Sequence, residues 1–149
     1  IMLPECLNLK MNIFNKNSKI DFVHSNIKSI NSKGEIISEN HWANRYYYNW
    51  FSKHSTSNIF TSNSYLNILI KHWNIISMPS VMFKKELLIE SGNFKSNVKY
   101  FCDWDLWLRL IYFSKKVYYM SEITVLYRRH SNNLISEPAI FPHPKFIIL

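Results

Sequence analysis

The chain has 149 residues, the size of one ordinary domain, and 47% of them are hydrophobic and 16% aromatic, enough to fill a core. Only 19% are charged, which excludes a disordered polyelectrolyte. The formal net charge of +8 comes from scattered lysines, so it describes a diffuse basic surface rather than a nucleic-acid stripe.

Cys6 and Cys102 stand far apart without a C-x-x-C, so the pattern contains neither a disulfide framework nor a zinc signature. A reduced, cytosolic setting is the expectation. The sequence has no signal peptide and no apolar run of the roughly 18 residues that span a bilayer. It begins with Ile1 rather than an initiator Met, which reads as a piece of something longer.

In chain order, "IDFVHSNIKSI" (Ile20 to Ile30) alternates apolar residues and predicts strand. "NSKG" (Asn31 to Gly34) is turn chemistry, and Glu35 to Ile37 is the return strand of a hairpin. Asn40 to Phe51, dense in aromatics, predicts a helix capped by Asn40, followed by a polar loop from Ser52 to Asn58. Leu66, Leu69, Ile70 and Trp73 are spaced for a helix over Ser64 to Trp73. Ile75 to Phe83 reads as a buried strand bent at Pro79, and Lys84 to Ser91 as a short helix stopped by Gly92.

After a polar connection, Trp104, Trp107, Leu108 and Ile111 fall at i, i+3, i+4, i+7, with Leu106, Leu110 and Phe113 widening the face. Asp103 and Asp105 head this helix, and Asp105 with Arg109 makes an i, i+4 pair. Lys116 to Met120 and Ile123 to Tyr127 read as two strands separated by "SE". Glu137 to Leu149, with three prolines, reads as an extended tail beyond a domain of residues 1–136.

The string from about Ile75 to Ser136 resembles the C-terminal half of family 2 glycosyltransferases of the GT-A fold. The resemblance is carried by Gly92 and Phe94, by Asp103-Trp104-Asp105-Leu106-Trp107-Leu108-Arg109, and by Tyr127, Arg128 and His130. "IDFVHSNIKSINSKGEI" is similar to the family's strand and turn after its metal motif, and "IMLPECLNL" to the helix just after that motif. The resemblance implies an α/β fold in the form of a partial GT-A domain: the C-terminal half of a mixed sheet flanked by helices, without the N-terminal nucleotide-binding half. Unpaired strand edges and exposed apolar surface are expected of such a half.

The implied reaction is inverting transfer of a sugar from a nucleotide-sugar donor to a glycan or lipid-linked acceptor, in cell-surface polysaccharide or glycoconjugate synthesis. Asp103 is the implied catalytic base, charged as a base must be and favoured in that state by the helix dipole. A plain helix cap is the alternative role for Asp103, and both can hold. The family's usual Glu before this Asp is Cys102 here.

Trp104, Arg128 and Ser80 are the implied substrate-binding residues, and His130 the implied ligand of a divalent ion, Mg or Mn. The Asp-x-Asp that carries that ion in the family is missing, so the isolated chain is expected to be inactive, and without the Gln-x-x-Arg-Trp of processive members a polymer-extruding synthase is not expected. The expected setting is cytoplasmic, at the inner face of the membrane through peripheral contact, with no nucleic-acid partner. Two rival readings are a non-catalytic carbohydrate- or nucleic-acid-binding module built on "HWANRYYYNWF", and an inactive truncated gene product.

Overall fold

The structure, a computed structural model, describes residues 1–38, 58–72, 74–98 and 101–131. The helix predicted over Asn40 to Phe51, nearly all of the loop after it, Trp73 and the tail after Ser136 lie outside the described residues.

The chain is α/β. Helix α1 (Cys6–Lys16) leads into β1 (Ile20–Ile30), which returns as β2 (Ile36–Ser38). Then come β3 (Ile59–Thr61), α2 (Ser62–His72), a 3₁₀ turn at Met78–Ser80, β4 (Val81–Phe83), α3 (Lys85–Glu90), α4 (Cys102–Phe113) and β5 (Lys116–Arg128). The sheet is mixed and five-stranded. β1 and β5 run parallel at its centre, β2 and β4 lie antiparallel to β1 along its other edge, and β3 lies antiparallel to β5. Ile1 and Leu3 bond to Leu126 and Thr124, which puts the first residues against β5 as well.

The hairpin forms where the turn residues place it. Asn31 Oδ1 accepts the N–H groups of Lys33 and Glu35 at 2.9 and 3.0 Å, and Gly34 takes φ +91°. The helix α3 stops at Gly92, φ +81°, as its sequence predicts.

Three elements differ from their sequence patterns. β1 is not a half-buried strand: ten of its eleven residues are buried, because a strand in a parallel pair has a layer on each face. Its polar residues find partners inside. Asp21 takes Lys84 Nζ at 2.6 Å and the Lys115 N–H at 2.8 Å, and Asn26 donates to the Ser121 carbonyl at 2.9 Å.

The two strands expected around "SE" are one strand, β5. Ser25 pairs with Met120 and Asn26 with Ile123, so Ser121 and Glu122 are a bulge that the Asn26 side chain ties down. Finally, Ile75 to Phe83 is strand only over Val81–Phe83. Pro79 sits inside the 3₁₀ turn instead of bending a strand, and it offers no N–H to a ladder.

The main core lies between the sheet and helices α2 and α4. It holds Phe22, Tyr65, Leu69, Ile76, Leu106, Trp107, Leu110, Ile111 and Val117. Trp107 meets Phe22 edge-on at 5.7 Å between ring centroids, and Phe22 stacks on Phe83 at 6.0 Å. On α2 the buried face is Tyr65, Ile68 and Leu69, whereas Ile70 is 54% exposed, so the stripe sits one position away from the predicted one. Phe113, expected to widen the apolar face of α4, is 46% exposed at its last turn. A second, smaller packing lies between α1 and the sheet, where Leu9, Ile13 and Phe14 cover Ile20, Val23 and Met120. Exposed apolar side chains stand on the edge strand β2, at Ile36 and Ile37, and on α1, at Leu7 and Met11.

Candidate functional site

Helix α4 carries the paired acids in its first turn. The residue before it, Phe101, takes φ +56°, ψ +27°, a left-handed conformation that a bulky side chain rarely adopts. Such backbone strain, of order 1–3 kcal/mol, collects at functional positions. The residue at the cap position is therefore Phe101 and not Asp103. The role of simple N-cap is corrected, because Asp103 already lies one residue inside the helix.

The structure separates the two acids. Asp105 accepts from Arg109 Nη2 at 2.6 Å and from Nε at 3.1 Å, and Lys95 Nζ stands 3.7 Å away. Arg109 also donates to the Ser91 carbonyl at the C-terminal end of α3, which ties the two helices together. The i, i+4 pair read from the sequence is therefore formed, and it does more than stabilise its own helix.

Asp103 has different company. Its Oδ2 accepts from Asn74 Nδ2 at 2.8 Å, and its Oδ1 from the Trp104 N–H at 2.8 Å. Among the described residues no cationic side chain lies within ion-pair distance of it. It is half-buried. The oxygen of the Asn74 amide is buried and has no hydrogen-bond partner among the described residues. Asn74 escaped the sequence reading because a lone Asn in an Asn-rich chain carries no signal.

The remaining candidates are scattered. Trp104 is buried next to Asp103, at 5% exposure. Ser80 is fully buried in the 3₁₀ turn, where its hydroxyl donates to the Ser77 carbonyl at 2.7 Å. Arg128, at the end of β5, donates to the carbonyls of Asn31 and Ser32 at 3.0 and 2.7 Å and so holds the hairpin turn. His130 is exposed just past β5. Among the described residues no group of three His, Cys, Asp or Glu side chains could hold a metal ion.

A second buried polar cluster was invisible in the sequence. His24, on β1, hydrogen-bonds the Tyr65 hydroxyl inside the main core, with Tyr119 packed beside it at 5.3 Å. Burial, with the nearby Lys10 charge adding to it, pushes the imidazole down to about 3, so it is neutral near pH 7. Burial likewise raises the Tyr65 hydroxyl well above its ordinary value, with Tyr119 contributing.

No family model matches the chain, and no characterised protein matches it in sequence. Among the described residues no helix is long and apolar enough to cross a membrane.

Proposed function

We propose that the chain carries the acceptor-side part of an inverting, family 2-like glycosyltransferase. It would take part in moving a sugar from a nucleotide-sugar to a hydroxyl of a glycan or lipid-linked acceptor. The observation that supports this most is the sorting of the two acids. Asp105 is occupied by Arg109 and Lys95, while among the described residues Asp103 is oriented by neutral donors.

A general base needs this arrangement. The carboxylate must be ionised, fixed in direction and not already committed to a cation. The first turn of α4 favours its charge, and Asn74 and the Trp104 N–H fix its plane. As the acceptor oxygen attacks the anomeric carbon, its proton passes to Asp103, and the nucleoside diphosphate leaves with the bonding electron pair. The Asn74 amide oxygen, buried and without a partner among the described residues, is a second acceptor on the amide that orients the carboxylate. The strained backbone of Phe101 agrees with a functional role for this helix start.

The test is transfer from a panel of nucleotide-sugars by the intact protein, comparing Asp103→Asn with Asp105→Asn. Asp103→Asn keeps the shape but cannot take the proton, so turnover should fall by about 10²–10⁴-fold with donor affinity unchanged. Asp105→Asn loses the Arg109 pair and the looser Lys95 contact, about 0.2–1 kcal/mol each at most, and should retain transfer. Near-normal turnover of Asp103→Asn at saturating donor and acceptor would reduce Asp103 to a structural residue.

A further inference from the structure

Helix α1 buries the wrong residues for an ordinary amphipathic helix. It exposes Leu7 and Met11 at 53% and 47% and encloses Cys6 and Lys10 at 1% each. The two enclosed side chains are one helical turn apart, which sets them on the same face. Lys10 Nζ lies 3.2 Å from Cys6 Sγ and 3.3 Å from Thr124 Oγ1 on β5. Among the described residues no carboxylate lies within ion-pair distance of this ammonium. Thr124 is itself engaged with Ser25 at 2.6 Å, which in turn reaches the Ser80 carbonyl at 3.4 Å.

A buried ammonium without a counter-charge is a costly state, and chemistry that discharges it is favoured. We propose that Cys6 and Lys10 are a covalent modification site, closing on oxidation into a reversible N–O–S cross-link between Lys10 Nζ and Cys6 Sγ. The oxidant is dioxygen, a small apolar molecule.

The step balances. The ammonium first gives one proton to solvent. The S–H bond and one N–H bond then break, and N–O and O–S bonds form around one oxygen atom. The second oxygen leaves as water with the two hydrogens. Sulfur and nitrogen each lose two electrons, and dioxygen takes all four. A thiol reductant reverses the link and regenerates amine and thiol. The product is neutral, so the interior no longer holds an unpaired charge, and it staples the first turns of α1. Cysteines that stop at sulfenic or sulfinic acid follow a different course, in which the neighbouring amine is untouched.

The experiment compares the protein kept anaerobic with reductant against the same protein in air-equilibrated buffer, by intact mass and by peptide mapping. The expected product gains one oxygen less two hydrogens, resists trypsin at Lys10, and returns to the starting mass with reductant. Its melting temperature should be higher than that of the reduced protein. Cys6→Ser and Lys10→Met should each abolish the mass change, and Cys102→Ser should leave it intact. Because the wild-type fragment spectra locate the bridge directly, the result stands even where a variant fails to fold. Oxygen added to Cys6 with Lys10 still cleaved by trypsin, or no mass change in air, would overturn the proposal. The inference is independent of the transfer reaction and survives if that reading fails.

Discussion

The layer under α2 and α4 and the seam where α1 meets β5 are packed against the same central strands by opposite means. The first is hydrocarbon and aromatic rings, from Phe22 and Trp107 to Leu110 and Ile111. The second runs through heteroatoms, from Cys6 and Lys10 to Thr124, Ser25 and the Ser80 carbonyl. An apolar layer draws stability from area removed from water and tolerates some change of shape. A polar seam gains little net energy and loses much when one member is removed, because each buried donor or acceptor depends on its neighbour.

The largest effect should come from the apolar layer. Trp107 touches Phe22 and Phe83 with its ring and is 1% exposed. Trp107→Ala should cost about 3–5 kcal/mol, read as a lower denaturation midpoint in urea. In the seam, Thr124→Val keeps the shape but removes the one hydroxyl shared by Lys10 and Ser25. A loss of about 1–3 kcal/mol is expected from a methyl-for-hydroxyl exchange that would be near neutral in the apolar layer. If Thr124→Val proves neutral, the distinction between the two regions fails.

A slope against pH tests a polar inclusion within the apolar layer, the pair of His24 and Tyr65. The folded His24 imidazole titrates at about 3 and the unfolded one at 6.5. Its stabilising contribution is therefore complete above pH 6.5 and is lost as pH falls toward 3, since the unfolded chain binds the proton first. Stability should fall as pH drops through that window, because the unfolded chain takes up a proton that the folded one does not. His24→Gln should flatten this part of the profile, measured as denaturant midpoint against pH. An unchanged slope would mean that other groups govern acid unfolding.

The seam also explains which parts of the molecule the sequence could announce. The helix with its acids, the Asn31–Gly34 turn and the short helix ending at Gly92 depend on residues within a turn or two of one another. Side-chain period, turn chemistry and a glycine with positive φ are local properties, and they were read correctly from local pattern. The i, i+4 pair of Asp105 and Arg109 belongs to the same class.

Everything that turns on a distant partner had to wait for the tertiary structure. "SE" looks like a break until Asn26 from another strand takes the Ser121 carbonyl and makes it a bulge. A lysine on α1 reads as a solvated charge until Thr124, far along the chain, closes over it. Asp103 and Asp105 are equivalent in the string "DWD", and Asn74 from one side and Arg109 with Lys95 from the other leave one held by a neutral amide and the other paired with cations. Sequence alone determined the α/β class, the local elements and the pair of acids at the head of a helix. Tertiary packing decided which polar groups are buried and with whom, because burial and pairing are set by residues that only the fold brings within hydrogen-bond reach.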